Sequence, residues 1–176
     1  MYGYNGAYDT SQNYMITWRF YPDVAWPVPG SNTITDTFGS TAGRTTPHNG
    51  LDIGTWSSGA YSWKYEIQAV KAGYVTAAGY ESSMGYYARI DHGTYNGRKI
   101  EARYLHMESS PLVSTGTSVS KSQRIGWMGS TGNSTGKHLH IDFRDANDYY
   151  DPLTFLAAPH QKEVVDYWEK NPSLKQ

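Results

Sequence analysis

The stretch KHLHIDF at residues 137–143 constrains this chain more than any other. Successive side chains of a β-strand point to opposite faces, so His138 and His140 look to one side while Leu139 and Ile141 look to the other. Two imidazoles on one face invite a metal. Two ligands do not make a zinc site, and a strand that is merely rich in histidine accounts for this fragment equally well.

Residues 47–54, PHNGLDIG, add what the strand lacks. His48 is followed four residues later by Asp52, with Gly50 between them to let the chain turn sharply. Strand alternation turns Asp52 to the site and buries Ile53 behind it. His, Asp and His together supply three ligands. A catalytic zinc typically keeps three protein ligands, and neutral imidazole with carboxylate suits zinc better than calcium or magnesium. The chain has no cysteine to offer a thiolate site instead.

With both halves in view, the chain resembles the lysostaphin-type, or LytM-type, zinc metallopeptidases that cut peptides of bacterial peptidoglycan. The family signature is H-x-x-x-D followed much later by H-x-H, which stands here at His48 to Asp52 and His138 to His140. Flanking blocks match in order: WPVPG at 26–30, DTFG at 36–39, YLHM at 104–107 and GWMGSTGNSTG at 126–136. Each half-motif alone is weakly specific, but the ordered set is strong, and it covers roughly residues 24 to 157.

The resemblance implies a role for each matching residue. The zinc ligands fall on His48, Asp52 and His140, with one Zn2+ per chain, and the catalytic histidines fall on His138 and His106. Spacing alone does not say which of His138 and His140 touches the metal. Arg44 matches an arginine just upstream of the first motif that binds a substrate carbonyl or carboxylate, and an exposed loop arginine is the equal alternative. Tyr104 is in register with His106 and would share its face, which the resemblance places in the cleft as a second substrate contact. The Asp91-His92-Gly93 stretch reads as a turn, which leaves His92 exposed and not a ligand.

The resemblance and the residues agree on fold class: mainly β, one domain built on an antiparallel sheet of the LytM, duplicated-hybrid-motif kind, with a short helical C-terminus. Residues 1–23, polar and rich in Tyr and Gly, read as an extended N-terminal arm or linker; 24–157 hold the metallopeptidase domain and 158–176 a helical tail. Strands are expected over 67–70, 74–78, 86–91 and 100–105, broken at Gly73, Gly79, Gly85 and from Gly93 to Gly97. Asp151-Pro152 reads as an N-cap with proline at the first helical position, opening a short turn through Phe155 and Leu156. A helix is expected from His160 to Lys170, packing through Val164, Tyr167 and Trp168 and stopping before Pro172. The Gly-rich loop at 129–136 precedes neither a helix nor a P-loop lysine pattern, so it reads as a cleft wall and not a nucleotide cradle.

Charge and composition exclude some partners. A formal charge of −1 and a pI near 6.6 give no basic field for nucleic acid, and no apolar run reaches transmembrane length. The first eight residues lack the basic and apolar regions of a secretory signal. For a wall-cutting protein this points to a mature or excised domain, or to a phage protein delivered without a signal. The expected partner is a peptidoglycan cross-link or bridge peptide, met by a monomer outside the cell, at the wall or on a virion. Two other classes compete with the enzyme. A non-catalytic wall-binding or activator module of the same fold usually lacks some ligands, all of which are present here. A carbohydrate-binding β domain would explain the 6 Trp and 16 Tyr but leave the His/Asp pattern to coincidence.

Overall fold

The computed structural model describes residues 5–9, 14–18, 23–146 and 148–175. In chain order the strands are β1 (Asn5–Asp9), β2 (Tyr14–Trp18), β3 (Ile34–Asp36), β4 (Leu51–Gly54), β5 (Glu66–Gln68), β6 (Gly73–Glu81), β7 (Gly85–Tyr95), β8 (Arg98–Met107), β9 (Ser118–Val119), β10 (Arg124–Trp127), β11 (His138–Arg144) and β12 (Tyr149–Tyr150). One α-helix, α1 (Gln161–Lys170), follows. The segment expected to be an extended arm contains β1 and β2, which pair antiparallel as a ribbon.

The main sheet runs β3-β4-β11-β8-β7-β6-β9, with β12 beside β11, and every pairing in it is antiparallel. The KHLHIDF strand is therefore central, between β4 and β8. Leu139, Ile141 and Phe143 are fully buried, joined on the same face by Leu51 and Ile53 from β4 and by Ile100, Ala102 and Tyr104 from β8. The β5–β10 ribbon adds Ile67 and Ile125 to this cluster. Alternation thus assigns β11 a core face and leaves its histidines on the other.

The helix begins after His160, whose N–H donates to the Glu163 carboxylate at 2.7 Å. Val164 and Trp168 enter the core, and the Trp168 indole N–H donates to the Gly30 carbonyl at 2.8 Å. Tyr167 is only half-buried at the margin of that face. At Asp151 the carboxylate accepts from the Leu153 N–H, but the turn it opens is a 3-10 turn, Pro152–Thr154, shorter than expected. No helix among the described residues is long and apolar enough to cross a membrane.

Two glycines expected to break strands do not: Gly79 lies within β6 and Gly93 within β7. The consequence is largest at His92. Instead of sitting in an exposed turn it is in β7, 5% exposed, with its Nε2 2.9 Å from the Tyr104 hydroxyl and its Nδ1 3.2 Å from the Ala72 carbonyl. Nδ1–H donates to Ala72, Nε2 accepts from Tyr104, and Tyr104 in turn accepts from the Val70 N–H at 3.1 Å. A register shift between Asp91 and Thr94 lets the strand continue past the expected turn.

Burial lowers the His92 pKa to about 4, against a partly compensating pull from the Ala72 and Lys71 carbonyls. The folded chain therefore keeps this imidazole neutral at pH values where the unfolded chain protonates it. Stability from this group is complete above about pH 6.5, falls as the pH drops, and is gone below about pH 4, a loss of about 3 kcal/mol. Urea unfolding of wild type and His92→Gln at a series of pH values checks this. The wild type is expected to lose that much more stability than the variant between pH 7 and 4, and parallel curves would refute it.

Candidate metal centre

The site is assembled by register. In the β4–β11 pairing Asp52 lies directly opposite His140, and His138 lies opposite Gly54. The cross-strand partner of His140 on its other side is Leu105 of β8. His48 reaches the same place through the turn before β4. Gly50 in that turn does not adopt a positive φ; it is needed because a Cβ there would stand 2.7 Å from the His140 ring and from the Ile141 carbonyl. The expectation of a sharp turn is thus replaced by a requirement for space.

Three acceptor atoms converge. His48 Nε2 is 3.0 Å from His140 Nδ1 and 3.3 Å from Asp52 Oδ1, and His140 Nδ1 is 2.8 Å from Asp52 Oδ1. The distal nitrogens are already occupied. His48 Nδ1–H donates to the Thr37 carbonyl at 3.1 Å, and His140 Nε2–H donates to Asp142 at 3.2 Å. Those partners direct lone pairs of both rings and a carboxylate oxygen at one point, where they repel unless a cation lies between them. Four ligands at about 2.0–2.1 Å around tetrahedral zinc stand about 3.3 Å apart, so the triangle fits three corners of such a site.

Electrostatics follow the same arrangement. Burial raises the Asp52 carboxyl, but the adjacent His140 and His48 imidazoles outweigh it and hold the group well below the ordinary carboxylate range. For His140, burial lowers the pKa while Asp142 and Asp52 raise it, and the balance is upward to about 9. Without a metal the favoured cation is the His140 ring itself, held between Asp52 and Asp142. A metal at the point of convergence would displace its Nδ1 proton.

Asp142 was not singled out in the sequence, although it continues the alternation of His138 and His140 on one face. It is fully buried, and Arg103 grips it through Nε at 2.9 Å and Nη2 at 2.7 Å. Such a carboxylate behind a ligating imidazole fixes both its tautomer and its orientation.

Two more imidazoles flank the triangle. His138 Nε2 is 3.9 Å from Asp52 Oδ1, and its Nδ1–H donates to the Gly136 carbonyl at 2.8 Å. The His106 ring lies 4.9 Å from the His138 ring and 6.3 Å from the His140 ring, centroid to centroid, and its Nδ1–H donates to the Thr131 carbonyl at 2.8 Å. In both rings Nε2 is left with the lone pair. Burial lowers the His106 pKa, with the Thr131 carbonyl opposing, which favours the neutral ring.

Regular alternation would have sent His106 into the core with Tyr104. His106 instead has a left-handed backbone, φ +62°, which turns its ring to the site. Tyr104 stays behind, fully buried, with its hydroxyl held by Val70 and His92. The assignment of Tyr104 as a substrate contact is therefore corrected: it is a core residue. Arg44 is ion-paired with Asp36, whose carboxylate is also 3.7 Å from His48 Nδ1, and this pair lies at the exposed rim. Trp56 and Trp63 pack, Trp63 edge-on against Trp168 at 4.6 Å, whereas Tyr61 is 54% exposed. Lys137 ties that loop to β11 by donating to the Trp63 carbonyl at 2.9 Å.

This geometry can be set beside known proteins. The profile of peptidase family M23 matches residues 46–152. Peptidoglycan DD-endopeptidase ShyA of Vibrio cholerae is 33% identical over 142 residues, which are 76% of this chain and 29% of that protein. A zinc-containing peptidase from Vibrio cholerae, solved by crystallography, superposes with a TM-score of 0.61 at 27% identity, over 77% of this chain and 40% of the other. Lysostaphin from Staphylococcus simulans has the same fold, with a TM-score of 0.59 at 24% identity over 76% and 52% of the two chains. The chain spans less than a third of the length of the curated relatives it matches.

Proposed function

The chain belongs to peptidase family M23, and from that premise we propose that it is a zinc-dependent endopeptidase that hydrolyses peptide bonds in the cross-links or bridges of bacterial peptidoglycan. The observation that carries the reading is the convergence of three acceptors on one point with two further imidazoles beside them. His48 Nε2, Asp52 Oδ1 and His140 Nδ1 hold one zinc. Bound there, zinc supplies Lewis acidity toward the scissile carbonyl and acidifies water to a pKa of about 7.

The remaining steps fall to this chain's own groups. His138 and His106 each present an Nε2 lone pair, because Gly136 and Thr131 hold their Nδ1 protons. One of these nitrogens takes the proton of the attacking water as its oxygen bonds to the carbonyl carbon. The same proton is then delivered to the amide nitrogen as the C–N bond breaks, a task suited to imidazole near neutral pH. Arg44, steadied by Asp36 at the rim, binds a substrate carbonyl or carboxylate. The site is complete within one chain and needs no residue from a second copy, which is compatible with action as a monomer, and a peptidoglycan substrate puts the enzyme at the wall.

The relatives named as peptidoglycan DD-endopeptidases favour a direct cross-link over a glycine bridge. Digestion of purified walls of both kinds, scored for new amino termini and new reducing sugars, tests this. New amines from directly cross-linked walls are expected, without new reducing ends and in step with about one zinc per chain. Reducing ends without amines would overturn the peptidase reading, and zinc-free, inactive protein would point to a wall-binding module.

A further inference from the structure

We propose that Thr131 is a positioning residue for His106, and that the tip of the β6–β7 hairpin and the loop at 129–136 form one lock that fixes the tautomer of that imidazole. The inference rests on the proposed catalytic role of His106 only for its kinetic consequence.

His106 is held on two sides. Its backbone N–H donates to the Met84 carbonyl at 2.9 Å, at the hairpin tip, while its ring Nδ1–H donates to the Thr131 carbonyl at 2.8 Å. A left-handed backbone at a residue other than glycine persists only where its surroundings over-determine it, and these two bonds come from different segments.

Thr131 is where the segments meet. Its hydroxyl donates to the Met107 carbonyl at 2.6 Å, next to His106, and accepts the Tyr86 N–H at 3.0 Å from the start of β7. One hydroxyl has one hydrogen to give and lone pairs to receive with, so both bonds form at once. Asn133 N–H adds a bond to the Ser83 carbonyl at 3.0 Å. The backbones touch at Gly85 and Gly132, both at positive φ: a Cβ on Gly85 would stand 2.3 Å from Thr131 Oγ1, and one on Gly132 would stand 2.2 Å from the Gly85 nitrogen. No side chain fits between hairpin and loop, so the Thr131 carbonyl cannot shift without breaking the hydroxyl bonds that hold it.

The lock matters because neutral imidazole has two tautomers, and only the one with its proton on Nδ1 presents a lone pair on Nε2. Removing the Thr131 hydroxyl frees the loop to move its carbonyl away from Nδ1. His106 then loses the partner that selects this tautomer, while the zinc triangle, built from β4, β11 and the turn before β4, is untouched.

The test uses the zinc-loaded chain, labelled with nitrogen-15 at histidine, as wild type, Thr131→Val and Thr131→Ser. At a fixed neutral pH the His106 ring nitrogens of wild type and Thr131→Ser are expected to report one tautomer, protonated on Nδ1. Those of Thr131→Val are expected to report a mixture, with zinc content unchanged. Wall-peptide hydrolysis is expected to lose about 10- to 100-fold in kcat in the valine variant, with KM little changed and the serine variant close to wild type. Thr131→Ala, which has no branched carbon to accommodate, gives the same readout should the valine variant misfold. A single Nδ1-protonated His106 in a hydroxyl-free variant would overturn the proposal. A tautomer mixture with unimpaired turnover would uphold the positioning and remove His106 from the catalytic machinery.

Discussion

Alanine at His48, Asp52 or His140 is expected to abolish zinc binding and hydrolysis together. Each supplies one corner of a triangle whose edges are 2.8 to 3.3 Å, and the neighbouring carboxylates, Asp142 and Asp36, stand behind the triangle, against the distal nitrogens of His140 and His48. The nearest substitute, His138 Nε2, is 3.9 Å from Asp52 Oδ1 and projects from a residue facing Gly54, one pair along the β4–β11 ladder. Two ligands hold zinc weakly, so the loss should exceed the roughly 10- to 100-fold typical of changing a residue behind a ligand. Elemental analysis after dialysis against a mild chelator, with circular dichroism to show that the sheet persists, measures it. Full zinc occupancy in His140→Ala would mean that the wrong member of the histidine pair has been taken as the ligand.

The second large effect separates proton transfer from metal binding. His138→Ala and His106→Asn are expected to keep zinc and fold yet lose about 10²- to 10⁴-fold in turnover, the usual contribution of a positioned acid or base. Asparagine is chosen at 106 because it tolerates the left-handed backbone better than alanine, so folding is spared. Neither side chain contributes to the zinc triangle. Turnover near wild type in both variants would end their assignment, and zinc loss in His106→Asn would make that residue a ligand.

Much of this site could be read from local spacing because spacing and strand geometry are coupled. Alternation in KHLHIDF placed both histidines on one face and Leu139 and Ile141 on the other, and β11 has that pattern, with Phe143 continuing the apolar face. The helix over 160–170 was visible because Val164 and Trp168 recur at helical spacing. Where alternation breaks, the same reasoning failed. His106 and Tyr104 looked like neighbours on one face, and a single left-handed residue sends one to the site and leaves the other in the core. Gly93 looked like the end of a strand, and a register shift carries β7 through it and buries His92.

By itself the sequence determined the donor types, their order along the chain and the faces of the strands that carry them, since these depend on covalent order and a two-residue repeat. Only the tertiary structure decided which histidine meets Asp52, because that depends on the register between β4 and β11, strands separated by most of the domain. It also decided which nitrogen of each ring is free. The partners that choose are the carbonyls of Thr37, Thr131 and Gly136 and the buried Asp142 carboxylate. A carbonyl is the same group at every residue, so its role as a proton acceptor leaves no mark in the sequence until folding brings it against a ring.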